Sequence, residues 1–147
     1  MRFTKVLVAH DFSEPANRAL AFAAELADKV GASLEVVHVH PDVYDGHGDA
    51  SLGTPWPSPD QEERYLRFLD EELARVVRNV IGERADGVTR HVLRGEPLKR
   101  IEALRDEIGA DVIAVGSTGK GAVERALLGS ISQRILRTSH VPVLTVH

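Results

Sequence analysis

Short runs of apolar, largely β-branched residues without polar alternation recur along this chain. The run Val112–Val115 is apolar at every position, which is typical of a strand that is covered on both faces in a parallel sheet. A strand with one face in water would instead alternate apolar and polar residues. The sequence predicts five strands, at Val6–Ala9, Leu34–Val39, Val88–Leu93, Val112–Val115 and Val141–Val146.

Apolar residues at helical spacing fill the segments between these strands. Three stripes are clear, and each one would pack a single helix face against the sheet. They comprise Ala16, Ala19, Leu20, Ala23, Ala27 and Val30; Leu66, Leu69, Leu73, Val76, Val77 and Val80; and Leu98, Ile101, Leu104 and Ile108. With a further helix before the last strand, strands and helices alternate along the whole chain. This order predicts an α/β fold, an open parallel sheet with helices on both faces.

Residues at the helix ends agree with this order. Ser58, followed by Pro59 and by Gln61 three residues on, predicts a capping box, and Ser13 before Pro15 predicts a similar start. Gly31 and Gly109 follow the first and third stripes, where a left-handed residue often ends a helix. The boundaries therefore support helices in these segments.

We expect one domain over residues 1–147, because a chain of 147 residues suits a single core. Pro142 favours an edge position for the fifth strand, where a dimer could form. The long irregular segment Pro41–Pro57 contains the sole tryptophan, Trp56, and is either a lid or a plain surface excursion.

The composition excludes several classes of function. The chain has no cysteine, which rules out disulfides, cysteine nucleophiles and thiolate metal sites and fits a cytoplasmic location. The formal net charge is −4, and no basic stretch is long enough to follow a nucleic-acid backbone. We expect no signal peptide and no membrane span, because no uninterrupted apolar stretch approaches about 20 residues.

Two loops stand at the carboxyl ends of predicted strands, where open parallel sheets bind ligands. His10–Ser13 follows the first strand, and the glycine-rich segment Gly116–Gly121 follows the fourth and leads to Gly129. Backbone amides in such a loop can close on phosphate oxygens. Ser130, with Gln133 three residues later, predicts a helix whose amino terminus would favour an anion.

Plainer interpretations remain open at these positions. Asp11 could only support the cap of the first helix, and Gly116 and Gly119 could only form a tight turn. Lys120 and Arg125 are more typical of solvated charges than of ligand contacts.

Two familiar phosphate motifs are absent. A P-loop needs a lysine between a glycine and a serine or threonine, but Gly121 follows Lys120. The dinucleotide fingerprint needs glycines after the first strand, and none occurs there.

The spacing G-x2-G-x9-G-[S/T], from Gly116 to Ser130, resembles that of the universal stress protein family, in which it marks the ATP-binding branch. The resemblance runs from Lys5 to Val146. It rests also on Val-Leu-Val-x-x-Asp-Phe-Ser-Glu at 6–14, Ala19-Leu20, Val37-His38-Val39, Arg94-Gly95-Glu96-Pro97 and Pro142-Val143-Leu144.

This resemblance implies a Rossmann-like sheet of order 3-2-1-4-5, with the switch point between strands one and four. By position, Asp11 would hydrogen-bond the adenosine near the ribose, and Ala9 and Val39 would line the adenine site. The ribose and phosphates would be held by Gly116, Gly119, Gly129 and Ser130, followed by the backbone amide of Ile131. His10 and Thr118 depart from the family pattern, which has a small or β-branched residue and a histidine or arginine there.

The resemblance thus implies a cytoplasmic, ATP-binding stress-response protein, a sensor or regulator that pairs through its fifth strand as a homodimer and signals to a protein partner. We expect Mg or Mn to bind through the phosphates rather than through a cluster of His10, His38 and His40. We predict no catalytic residue, because no clear base accompanies the glycine loop and Glu124 is only the nearest acid. The alternatives are a slow magnesium-dependent ATPase and a nucleotide-free interaction protein.

Overall fold

A computed structural model describes residues 3–41, 58–117 and 130–147 of the chain. Strands and helices alternate along it, as the sequence predicts. The strands are β1 (Lys5–Ala9), β2 (Ser33–His40), β3 (Thr89–Arg94), β4 (Val112–Gly116) and β5 (Val143–Val146). The helices are α1 (Glu14–Val30), α2 (Pro59–Ile81), α3 (Pro97–Ile108) and α4 (Ser130–Thr138), and a 3-10 segment, Gly82–Gly87, follows α2.

The five strands form one parallel sheet in the order β3-β2-β1-β4-β5, which confirms the predicted fold class and strand order. β1 is the central strand, and its residue Val8 pairs with Val36 of β2 and Ala114 of β4. β3 and β5 form the two edges. The run without polar alternation at 112–115 predicted the burial of β4, which is buried at every position. The edge strand β5 is only half-buried.

Helices cover the two faces of the sheet in pairs. On one face, Leu20 and Ala23 of α1 and Leu73 of α2 pack with Val8 and Val36. The other face has its own cluster, in which α3 contributes Ile101 and Leu104, α4 contributes Ile135, and the sheet contributes Leu7, Val37, Ile113 and Val115. The two connections that leave β1 and β4 therefore lead to opposite faces. None of the helices described is long and apolar enough to cross a membrane.

Four of the predicted helix ends are confirmed. The Ser13 side chain accepts the Ala16 N–H at the start of α1. At the start of α2, Ser58 and Gln61 form both bonds of the capping box. Gly31 (φ 70°) and Gly109 (φ 67°) end α1 and α3 in the left-handed region, where a glycine meets no steric penalty.

Two details of the prediction are wrong. Val30 does not join the apolar stripe of α1, since it is 41% exposed at the last position of the helix. The last strand begins at Val143, so Val141 and Pro142 precede it. Pro142 still pairs with the sheet, because its carbonyl oxygen accepts the Ile113 N–H at 3.1 Å. A carbonyl is the only ladder group that proline retains, and the edge position of the strand is confirmed.

A group of polar side chains lies near the amino-terminal end of the sheet. Glu35 of β2 is only 7% exposed, and it contacts Lys5 Nζ at 2.9 Å and His91 Nε2 at 2.6 Å. Burial alone would raise the pKa of Glu35, but the hydrogen bonds from His91 and Lys5 outweigh it, so the pKa lies below its ordinary value of 4.5. The carboxylate joins β1, β2 and β3 across one face.

Candidate functional site

The carboxyl ends of β1 and β4 lie side by side at one rim of the sheet. The chain leaves β1 toward α1 on one face, and α4, which follows β4 in the chain, packs on the other face. This reversal of direction is a topological switch point, which leaves a crevice outside the strands in α/β folds of this kind. The sequence predicted the site at these two strand ends, and they are adjacent.

The described part of the predicted nucleotide site lies along this rim. Half-buried Ala9 pairs with Val37 on one side and Val115 on the other, one residue before Gly116. Buried Val39 lies in β2, two residues beyond Val37, which is the last β2 residue that pairs with β1. Ser130 is the first residue of α4, and Ile131, the next residue, is 36% exposed. Gly119 and Gly129 lie outside the described residues.

Asp11 is held by the residues that start α1. Its Oδ1 accepts the Ser13 N–H at 3.0 Å and also the Ser13 hydroxyl. Ser13 in turn caps the helix through Ala16, so Asp11 supports the cap, as the plainer interpretation of its role predicted. The same contacts fix the carboxylate at the carboxyl end of β1.

Gly116 is buried between β4 and the start of α1. A Cβ atom at this position would lie 2.6 Å from the carbonyl carbon of Pro15 and 2.8 Å from the amide nitrogen of Ala16. The Gly116 carbonyl accepts the Ser132 hydroxyl at 2.7 Å, and the Ser117 N–H donates to Val146. Gly116 therefore allows α1 to approach the rim closely. The interpretation of Gly116 as part of a tight turn did not include this packing reason for glycine.

Two contacts position the first turns of α4 against its neighbours. Buried Ser132 bonds to the end of β4, as described above, and Arg134 contacts Glu96 at 3.1 Å. Glu96 also caps α3, because its second carboxylate oxygen accepts the Lys99 N–H at 2.8 Å. The amino terminus of α4 is thus tied to both β4 and α3.

His10 occupies the position between Ala9 and Asp11 and is only 3% exposed. Its Nδ1 lies 3.1 Å from the Phe12 amide nitrogen, which donates to it, and its Nε2 lies 3.0 Å from Asn17 Oδ1. Burial lowers the pKa of His10 below its ordinary value of 6.5, although the bond to Asn17 and the charge of Asp11 act in the opposite direction.

The three histidines considered as a metal cluster make other contacts. His38 Nδ1 lies 2.8 Å from the carbonyl oxygen of His10, and the His40 ring packs edge-on against Tyr65 at 4.8 Å. Within residues 3–41, 58–117 and 130–147, no group of three His, Asp or Glu side chains could hold a metal ion.

Several predictions fall outside the described residues. They concern the segment Pro41–Pro57 beyond its first residue, Thr118, Lys120, Glu124 and Arg125, and the capping side chain of Ser130.

Sequence reasoning missed three positions that shape the rim. Asn17, in the first turn of α1, contacts the His10 ring, and Ser132 contacts Gly116, which is 16 positions earlier in the sequence. Phe12 has a positive φ of 64°, which is uncommon for a bulky side chain. His10 was the available signal, because it departs from the family pattern at a position that proves to be buried.

The chain resembles known proteins in both sequence and fold. A universal stress protein from Thermus aquaticus is 36% identical over 154 aligned residues, covering 98% of each chain. Among solved structures, the universal stress protein UspA from Lactobacillus plantarum has a TM-score of 0.77 at 22% identity, covering 100% of this chain and 99% of its own. One from Archaeoglobus fulgidus, in complex with dAMP, has a TM-score of 0.60 at 25% identity and covers all of both chains.

The family model gives the same result over nearly the whole chain. It is described as the universal stress protein family and matches residues 2–147. This match agrees with the sheet order, the buried central strands and the rim between β1 and β4. The chain belongs to the universal stress protein family.

Proposed function

We propose that this protein binds an adenine nucleotide, ATP in particular, at the rim between β1 and β4. The observation that carries the proposal is the adjacency of these two strand ends, with the helices that follow them, α1 and α4, on opposite faces. Asp11 is fixed at the end of β1, and the first turn of α4 is bonded through Ser132 to Gly116 at the end of β4. An acidic group for the ribose and a helix amino terminus for phosphate thus belong to one crevice.

Two further observations support an adenine nucleotide as the ligand. A family member that shares the fold and 25% of the sequence was solved in complex with dAMP. The spacing G-x2-G-x9-G-[S/T] from Gly116 to Ser130 supplies a glycine-rich segment for phosphate between β4 and α4. In this proposal Ala9 and Val39 line the adenine site, and Ile131 contributes its backbone amide. The ribose and phosphates are held by Gly116, Gly119, Gly129 and Ser130.

A divalent cation, Mg or Mn, would join the site through the phosphate oxygens. Magnesium usually retains water and takes few protein ligands, so it needs no cluster of protein carboxylates here. Asp11, the carboxylate at the end of β1, already accepts two hydrogen bonds from Ser13 through its Oδ1.

The proposed biological role is that of a cytoplasmic stress-response regulator that senses adenine nucleotide and transmits its occupancy to a protein partner. We further propose a homodimer formed through β5. Its residues Pro142 and Val146 direct their carbonyl oxygens to β4, so the alternate residues Val143 and Thr145 direct their backbone groups to the open edge.

Calorimetric titration of nucleotide-stripped protein with ATP and magnesium tests the binding proposal. We expect saturable binding by the wild-type chain and at least a tenfold loss of affinity, or about 1.4 kcal/mol, in Asp11→Ala. Glu107→Gln is the matched control, because it removes an exposed acid at the far end of α3. The circular dichroism of each variant establishes that it is folded.

The other functions predict different results. Phosphate release that disappears in Asp11→Ala, with the fold retained, would identify a slow ATPase. Retained dimerisation without any nucleotide binding would identify a nucleotide-free interaction protein and would contradict the proposal. Equal affinity for adenosine and ATP would contradict the role given to the glycine-rich segment.

A further inference from the structure

The turn between β1 and α1 is fixed by hydrogen bonds on both sides of His10. The His10 N–H donates to the Val37 carbonyl at 2.8 Å, and His38 Nδ1 lies 2.8 Å from the His10 carbonyl oxygen. Within the turn, the Phe12 N–H donates to His10 Nδ1. These contacts attach the turn to β2 and determine the direction in which the chain leaves β1.

The hydrogen bonds of the His10 ring define its protonation state. A backbone amide is always a donor, so the Phe12 N–H requires Nδ1 to be an acceptor without a proton. A neutral imidazole then carries its proton on Nε2, which donates to Asn17 Oδ1 at 3.0 Å. A protonated imidazole would place an Nδ1–H against the Phe12 N–H and break the turn.

The surroundings of His10 favour the neutral ring. The titratable groups that face it are Asp11 in the same turn and His38 in β2, and Glu14 in α1 bonds to the amide of Asn17 at 3.2 Å. Burial is the largest influence on the pKa of His10 and lowers it, and His38 acts in the same direction. The charge of Asp11 and the bond to Asn17 only partly offset this effect.

The hydrogen bond to His10 Nδ1 holds Phe12 in an unusual backbone conformation. Its φ of 64° is a left-handed conformation that side chains with a Cβ rarely adopt. Its amide bonds to Nδ1, and its ring packs 4.5 Å from the His38 ring and 5.8 Å from the His10 ring. This conformation directs the chain from Asp11 into the Ser13 cap, so the position of the Asp11 carboxylate depends on it.

We propose that neutral His10 is a positioning residue of the nucleotide site, whose Nδ1 acceptor holds the turn that presents Asp11. The inference rests on the proposed nucleotide function. His10 itself need not touch the ligand: it acts through Phe12 and Asp11. Replacing His10 should therefore change the affinity for nucleotide, and the size of the change should depend on which ring nitrogen the new side chain can replace as a hydrogen-bonding group.

Asn and Gln variants separate the two ring nitrogens. In His10→Asn the side-chain oxygen is as far from the backbone as Nδ1 and can accept the Phe12 N–H, as in an Asx turn. His10→Gln reaches toward Asn17 but has no acceptor at the Nδ1 position. By calorimetry with ATP and magnesium at pH 7.5, we expect His10→Gln to lose roughly tenfold or more in affinity and His10→Asn to stay within about threefold of wild type.

Denaturant unfolding of the same samples between pH 8 and pH 5, without nucleotide, tests the protonation state separately. The unfolded chain takes up a proton at His10 near pH 6.5, whereas the buried ring does not. The folding equilibrium constant of the wild type should therefore fall, relative to His10→Asn, by up to about tenfold per pH unit below that value.

The outcomes distinguish the two proposals. Wild-type affinity in His10→Gln, or equal losses in both variants, overturns the positioning role. Parallel stability profiles for the wild type and His10→Asn overturn it as well, because the ring would then not be held neutral. If the wild type binds no nucleotide, the proposed function and the role in binding both fail, and the unfolding profiles alone show whether the turn assignment is correct.

Discussion

At the scale of single residues, the backbone of Gly116 approaches α1 more closely than a side chain would permit. The atoms that a Cβ would meet are the backbone of Pro15 and Ala16, which begin a capped helix. Relief would require the start of α1, including the Ser13 cap, to move away from the sheet. The stability of the fold and the geometry of the rim therefore depend on the same glycine.

We predict that Gly116→Ala lowers the free energy of unfolding by roughly 1–3 kcal/mol, the usual cost of overpacking a tight site. Urea unfolding measures the change. Gly87→Ala is the matched control, because a Cβ at Gly87 meets nothing within 4 Å, and we expect a change of at most about 0.5 kcal/mol. Equal effects of the two substitutions would contradict the packing role.

Glu35 makes the free energy of unfolding depend on pH in the acidic range. Its pKa in the folded protein is below 4.5, so the unfolded chain takes up the proton first as the pH falls. The stabilisation is therefore fully present above pH 4.5 and is lost as the pH falls through the folded pKa.

We expect Glu35→Gln to lower the free energy of unfolding at pH 7 by roughly 1–3 kcal/mol, because Lys5 and His91 lose their shared acceptor charge. The difference from the wild type should shrink on acidification below pH 4.5. Denaturant unfolding at a series of pH values measures both effects. Glu71→Gln, on the exposed face of α2, should leave the profile unchanged, and a constant difference across pH would contradict the assignment.

At the scale of the elements, the helix ends were predictable because their determinants are local. Ser58 and Gln61 satisfy each other's backbone within one turn, and no distant contact is needed. The first residue of β5 was not predictable in the same way. Val141 is apolar and packs partly buried in the core, yet it precedes the strand, so apolar character alone did not reveal where pairing begins.

We predict that Ser58→Ala costs about 1 kcal/mol of stability, within the usual range for loss of an amino-terminal cap. The substitution removes the acceptor of the Gln61 N–H. Asn79→Ala, at an exposed position inside α2, is the control and should be neutral or slightly stabilising, since alanine is the better helix former. Thermal unfolding followed by circular dichroism compares them, and a neutral Ser58→Ala would show that the capping box does not stabilise α2.

At the scale of the whole molecule, the sequence predicted the two strand ends that form the rim, because parallel connectivity determines which ends lie together. The sequence did not predict the hydrogen bonds that hold the residues of the rim in place. Ser132 and Gly116 are 16 positions apart, and the His10 ring contacts Asn17, seven positions further along the chain, in α1. Such contacts depend on tertiary placement, which periodicity and spacing do not encode.

The proposed dimer gives a test at this scale. Thr145 directs its amide to the open side of β5, so Thr145→Pro removes an edge donor while keeping the bonds to β4. We expect sedimentation to show a dimer for the wild type and a monomer for Thr145→Pro. Arg90→Pro, at an outward-facing position of β3, carries a similar backbone cost and should remain dimeric. A monomeric wild type, or dimeric Thr145→Pro, would contradict pairing through β5.

The two edges of the sheet differ in their chemistry. Along β3, Arg90 pairs with Asp70 and Arg94 pairs with Glu62, so charged side chains line that border. Such charges discourage another strand from adding there. If both edges could pair, copies of the chain could add head to tail into a growing fibre. If only one edge can pair, two copies meet about a twofold axis and no pairing edge is left. In the dimer proposed above, the arginines of β3 would thereby limit self-association to a closed pair.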